Sequence, residues 1–228
     1  GAYYSWLLKN NREQWMVLDP IVSVHPHHTS FEAFSGDESV YARVNLPHDA
    51  VDFVEPPQLG TTNIDFSLAL EREFARARDY RPLSLTVGLA SVELATSAAS
   101  VNEKKIDLPE SWVRGLVEVQ SALALSSEEI SVDALRLADV LALLEERRER
   151  HGPRSLLFSL VPGEPVSVTI EPWNTEVVLS SKPWSGSEAR TVKVWGRRRL
   201  RVLARLLSSS DTVTVRLLDS GMPSFWTV

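Results

Sequence analysis

The sequence contains no cysteine in 228 residues. That absence rules out a disulfide scaffold, cysteine-ligated zinc, an iron–sulfur cluster and a thiol nucleophile within the chain. Long apolar runs are also missing: no stretch of about 18 apolar residues occurs, so no helical membrane span is expected. The segment Gly1-Ala2-Tyr3-Tyr4-Ser5-Trp6-Leu7-Leu8-Lys9 has no basic residues ahead of its short apolar run and gives no support for a signal peptide. A cytoplasmic location is the expectation. Positive charge is not in excess, because 24 Lys+Arg face 30 Asp+Glu, a net charge of −6. Such a balance argues against a generic nucleic-acid coat but allows a local basic patch. The phosphate loop, the Gly-x-Ser-x-Gly elbow, His-Glu-x-x-His and Gly-x-Gly-x-x-Gly are all lacking, and no catalytic residue is expected.

What is present is an ordinary globular composition, 43% hydrophobic and 24% charged. A chain of this length buries roughly 70% of its unfolded surface, in one large domain or two small ones. Trp15 to Val24 reads as two short apolar runs broken by the turn signal Asp19-Pro20, and Ser39 to Asn45 has strand character. Gly60-Thr61-Thr62-Asn63 reads as a turn, with Asp65 as N-cap of a helix that runs to about Arg78. Phe66, Leu70 and Phe74 recur every four residues on one face of that helix. Pro109-Glu110-Ser111 opens an expected second helix carrying Trp112, Leu116, Val119 and Leu123, with a strand as the alternative because of its β-branched content. Ser131 is expected to cap a third, with Leu137, Val140, Leu141 and Leu144 facing a core, and Gly152-Pro153 beyond its end.

Strand-like runs follow at Leu156–Val161, Val166–Glu171 and Glu176–Ser181, then strand Thr191–Trp195, helix Arg197–Leu207 and strands Thr212–Leu218 and Ser224–Val228. The expected class is α+β: mainly antiparallel sheet, three or four helices on one face, built from recurring helix-plus-strands units. Repeated units of this kind also occur in sliding clamps, an analogy of outline. The small, polar stretch Ala95–Ser100 is the best linker candidate, giving an N-terminal half over 1–100 and a C-terminal half over 101–228, or one continuous domain.

Chemistry is sparse. His25, His27 and His28 could offer imidazoles to a metal with Asp19 or Glu32, but residues this close around Pro26 converge poorly on one ion; an exposed polar loop is the competing reading, and no metal site is assigned. Asp49, Asp52 and Glu55 lie together without a partner motif. The distinctive segment is Ala189 to Ser210, which has no acid and holds Arg190, Lys193, Arg197, Arg198, Arg199, Arg201 and Arg205. Positive charge at a helix N-terminus opposes the macrodipole, a cost offset by an anion placed there. Gly196, Arg197, Arg198, Arg199, Arg201 and Lys193 are therefore candidate phosphate or nucleic-acid contacts. The alternative is internal pairing with acids such as Glu171, Glu176 or Asp211. Trp184 and Trp195 flank the segment as candidate stacking surfaces or core residues.

Six blocks in order resemble the bacterial SWIM zinc-finger family proteins: Ser30–Ser39, Gly60–Ser67, Leu108–Gly115, Gly152–Ser155, Trp195–Leu200 and Gly221–Phe225. That family is named for a Cys-x-Cys and Cys-x-His zinc finger, which this cysteine-free chain lacks, so the resemblance is to the region beside the finger or to a member without it. The resemblance implies DNA-associated work alongside a Swi/Snf-type helicase or other ATPase, and it lends no zinc site, cofactor or catalytic residue. The reading that follows is a non-enzymatic module that docks a partner and backbone phosphates. The alternatives are a pure protein-interaction scaffold without nucleic-acid contact and a metal-dependent hydrolase built on His25–His28.

Overall fold

Ile21-Val22-Ser23-Val24 forms β1 (Ile21–Val24), a strand buried along its length because it is paired on both sides. The structure, a computed structural model, describes residues 20–228 except 79, 89, 148 and 150. β1 runs antiparallel to β2 (His28–Phe34) and to β4 (Gly60–Asn63), and β2 pairs with β3 (Tyr41–Pro47), giving a sheet ordered β3-β2-β1-β4. The Thr-rich segment Gly60–Asn63, expected as a turn, is thus a strand: Thr62 and Asn63 are buried, and Ser23 and Thr61 hydroxyls meet at 2.9 Å across the ladder.

Helix α1 (Leu68–Ala75) follows. Its cap is Ser67 rather than Asp65, because the Ser67 Oγ accepts the Leu70 N–H at 3.2 Å while Asp65 lies two residues before that cap. Leu70 is fully buried, and Phe74 stacks at a centroid distance of 6.1 Å on Phe66, which lies just before the helix and not on its face as expected. Strands β5 (Ser84–Val87), β6 (Ser91–Ala95) and β7 (Ser100–Lys104) make a three-stranded meander. The expected linker at Ala95–Ser100 is the tight turn between β6 and β7, closed by Thr96 N–H to Ala99 O at 2.9 Å. Helix α2 (Glu110–Leu123) buries Trp112 and lays Gly115 on the Phe34 ring, where an added Cβ would come within 2.8 Å of ring carbon.

The chain divides into two compact units, the first ending at Val119 and the second beginning at Gln120. The second unit opens with β8 (Glu128–Asp133) and α3 (Ala134–Glu146). Ser131, expected as the cap of α3, sits inside β8: Ile130 and Val132 alternate inward and pair with β13 (Thr212–Leu217), and this ladder delays the helix to Ala134. Strands β9 (Ser155–Leu160), β10 (Pro165–Ile170), β11 (Thr175–Pro183) and β12 (Arg190–Trp195) form a sheet ordered β11-β10-β9-β12. A 3-10 helix (Arg197–Arg205) leads from β12 to β13, which pairs with β14 (Ser224–Thr227) and β8.

The first four-stranded sheet of each unit has the same wiring. Three meandering strands are joined by a fourth beside the first, and a helix follows the fourth. Each unit also has its own apolar interior. In the first, Val22, Ile64, Leu70, Val92 and Leu94 form one cluster and Phe34 and Trp112 another. In the second, Leu137, Val140, Leu156, Phe158, Val168, Val213 and Val215 belong to one cluster. A side chain such as Phe158, without exposed surface, contributes about 1.5–3 kcal/mol by leaving water. The molecule is α+β with antiparallel sheets. No helix among the described residues is long and apolar enough to cross a membrane.

Candidate nucleic-acid interface

Glu171-Pro172-Trp173-Asn174 makes the reversal between β10 and β11, with Asn174 in the left-handed region at φ 52°. The reversal projects two side chains that organise the basic segment. Glu171 accepts hydrogen bonds from the Ser155 hydroxyl and from Lys193 Nζ, the latter at 2.9 Å. These donors stabilise the charged form and hold its carboxyl below the usual carboxylate range, the Ser155 bond contributing most and Lys193 next, against the opposing effect of burial.

Arg197 is the first residue of the 3-10 helix and is only 2% exposed. Its Nη1 donates to the Glu171 carbonyl, and its guanidinium lies 4.5 Å over the Trp173 ring. Arg147 approaches the same ring at 5.6 Å. Burial, followed by the charges of Arg198 and Arg154, lowers the Arg197 pKa from its ordinary value. Among the described residues, its Nε has no hydrogen-bond partner.

The six candidate contact residues therefore divide. Arg197 points inward, because a flat aromatic ring and a carbonyl receive its planar cation. Lys193 is half-buried, bound to Glu171 and 4.5 Å over the Trp195 ring. Arg201 grips the Glu145 carboxylate of α3 with both Nε, at 2.9 Å, and Nη2. Arg198 is exposed, with Nη2 3.3 Å from the Glu149 carbonyl, and Arg205 is exposed one turn and more along the helix. Gly196 adopts φ 72°, and a Cβ there would come within 2.8 Å of Arg199 Nη1, so the bare backbone admits that side chain. Of the acids considered as internal partners, Glu171 takes Lys193, whereas Glu176 accepts from Ser167 at 2.8 Å.

Glu145, Trp173 and Arg147 were not legible as parts of this cluster. Trp173 carried only a turn signal, and α3 supplied Glu145 from 56 positions away. Trp184 is buried and donates through Nε1 to Glu128, which makes it a core residue rather than a stacking surface. Trp195 remains about half exposed beside Lys193.

In the first unit, Phe31, Val44, Ile64, Phe66, Leu70 and Phe74 line much of an apolar cavity of about 260 Å³. The imidazoles of His25 and His28 stack face to face at 4.5 Å, and among the described residues no group of three or more His, Asp or Glu could hold a metal ion.

No family model matches the sequence, and no curated protein matches it. Solved structures do. The chain is similar to the DNA polymerase III beta subunit of Pseudomonas aeruginosa, with 12% identity and a TM-score of 0.62 over 91% of this chain and 53% of that one. A second structure of that organism's sliding clamp, bound to griselimycin, aligns with 12% identity and a TM-score of 0.61 over the same shares. The beta sliding clamp of C. crescentus, with bound PEG, aligns at 15% identity and a TM-score of 0.57, covering 96% of this chain and 55% of that one. The fold is that of sliding clamps, and the chain spans about half the length of the clamps it matches.

Proposed function

We propose that this chain is a non-enzymatic, clamp-like module that touches a DNA backbone through the exposed arginines of its 3-10 helix and docks a protein partner. The observation that carries the reading is the division of labour within one basic segment. Arg197 anchors the helix start from inside, and Arg198 and Arg205 stand exposed on the same nine-residue element. A fold shared with DNA polymerase III beta subunits supports the class of task, a surface that holds other molecules rather than transforms them.

The chemistry asked of the site is modest. Guanidinium groups bind phosphate oxygens by charge-assisted hydrogen bonds, and association gains entropy as counterions leave the nucleic acid. Arg198 and Arg199, beside the left-handed Gly196, form the leading edge, and Arg205 extends it. Lys193 and Arg201 reach a phosphate only by sharing or releasing Glu171 and Glu145. A Swi/Snf-type helicase ATPase, implied by the SWIM resemblance, is the partner to test first by pull-down.

The deciding experiment is fluorescence anisotropy with short labelled single- and double-stranded DNA at two salt concentrations and pH 8. Salt-sensitive binding is expected. Replacing Arg198, Arg199 and Arg205 together by Ala should reduce the slope of log affinity against log salt by roughly 2–3. Absence of binding at low salt would overturn nucleic-acid contact and leave a protein scaffold.

A further inference from the structure

At one end of the β3-β2-β1-β4 sheet, backbone hydrogen bonds gather four histidines. The β1–β2 turn is closed by His25 N–H to His28 O at 2.9 Å, and the short helix beginning at His48 is tied to that turn by His48 N–H to His27 O at 3.0 Å. The side chains add their own order. His25 and His28 stack at 4.5 Å; His25 Nε2 is 3.0 Å from the Ser30 hydroxyl, and His48 Nε2 is 3.3 Å from that of Thr29. His48 also meets the Phe53 ring edge-on at 4.9 Å.

Arg43, on β3, determines the protonation state. Its Nε donates to Asn45 Oδ1 at 2.8 Å, and its Nη2 lies 3.1 Å from His28 Nε2. Arginine has donors only, so His28 Nε2 must present its lone pair, and the ring is neutral with its proton on Nδ1. Protonating Nε2 breaks that bond and sets a second cation against the guanidinium. Burial first, and then His25, Arg43, His48 and His27, hold the His28 pKa below its ordinary value, and every charge in that set is cationic. The nearest acids by position are Asp49, adjacent to His48, and Glu32, which pairs opposite Arg43 in the ladder and accepts the Tyr41 hydroxyl.

We propose that His25, His28 and Arg43 form a pH-gated binding site for a phosphate group, silent when His28 is neutral and filled as it protonates. When His28 protonates, its imidazolium stands beside the Arg43 guanidinium and against the stacked His25 ring. An anion with several oxygens relieves their repulsion by accepting from the freed His28 Nε2 and from Arg43. The phosphate can come from solution or from a nucleic-acid strand. The site lies in the first unit, apart in sequence from the arginines of the 3-10 helix, and its test does not depend on them.

Proton NMR of the imidazole Hε1 signals over pH 5–8 tests the site, with and without 20 mM inorganic phosphate at matched ionic strength. By linkage, phosphate should raise the titration midpoint of His28 by about 0.3 or more, with a smaller rise at the stacked His25, and leave the exposed His151 in place. Binding should be about tenfold tighter at pH 5.5 than at pH 8. A parallel titration with a twelve-nucleotide strand separates the sources. A response to both probes supports a general phosphate site, and a response to the strand alone assigns the backbone as the source. Unmoved midpoints with both probes, or an equal movement of His151, would overturn the site. Arg43→Gln is the control: His28 should titrate closer to the ordinary histidine range, and the phosphate-induced movement should shrink. A full response in that variant counts against the arrangement.

Discussion

The Arg197 guanidinium lies 4.5 Å above the Trp173 ring while donating to the carbonyl of Glu171, two residues ahead of that ring. One reversal of the chain between β10 and β11 thereby receives a cation that the sequence places 24 residues beyond Trp173. The pair fixes where the 3-10 helix starts and which of its arginines face outward.

Arg197→Ala should lower the stability of the second unit by about 2–4 kcal/mol, from a lost cation–π contact and an unsatisfied carbonyl. Arg197→Lys should recover only part, because an ammonium cannot reproduce the planar stack. Urea unfolding followed by tryptophan fluorescence reads both. Wild-type stability in the Ala variant would show that the contact contributes nothing.

Gly221 distinguishes steric conflict from backbone strain. At φ 75°, an added Cβ would lie 1.8 Å from the Lys193 carbonyl oxygen, while Gly163, at φ 81°, has nothing within 4 Å of its Cβ position. Gly163→Ala should cost about 1 kcal/mol through conformation alone. Gly221→Ala should cost clearly more, on the order of 3 kcal/mol, since β12 must shift to admit it. Comparable melting temperatures in the two variants would contradict the packing.

Glu171 gives a pH dependence of definite sign. Its folded-state pKa is depressed below the ordinary 4.5, so the native state releases its proton more readily than the unfolded chain. The resulting stability is fully present above about 4.5 and is lost as pH falls through the lower folded value. Glu171→Gln should therefore destabilise the protein at pH 7, on the order of 1 kcal/mol, and much less at pH 3. A mutational effect independent of pH would exclude the ionised pair with Lys193.

Separate interiors predict separate responses. Leu70→Ala should open the first unit by about 2–5 kcal/mol, and Leu217→Ala should do the same to the second. Hydrogen exchange by mass spectrometry should show faster exchange confined to the unit that carries the change. Acceleration across the whole chain would mean that the two interiors melt as one.

Much of the fold was legible because local patterns matched the final environment. Leu137, Val140, Leu141 and Leu144 marked α3 by spacing, and all four are buried. Apart from β8, the strands of the second unit appeared close to where strand-like runs placed them. The misread elements are those where a distant strand decided the outcome. Ser131 has good capping chemistry, yet Ile130 and Val132 gain more by entering the ladder with β13, some 80 residues later. Gly60-Thr61-Thr62-Asn63 has turn composition, but β1 offered it a complete set of backbone partners. The basic segment was visible as an acid-free run. Which arginines turn inward was not, because Trp173 and Glu145 make that selection from other elements.

Each of the four sheets takes all its strands from one side of the Val119–Gln120 boundary. Inheritance can act on the sheets of such a plan as whole pieces, with helix α2 (Glu110–Leu123) alone crossing the boundary among the described elements. A duplicated or deleted gene segment with its end at that boundary breaks none of these ladders, and neither half has to evolve a new edge to replace a missing neighbour. Growth by tandem copying is therefore open to this architecture, with side chains free to diverge afterwards. The matching order of β3-β2-β1-β4 and β11-β10-β9-β12, without residue-level similarity, is the trace that such a history would leave.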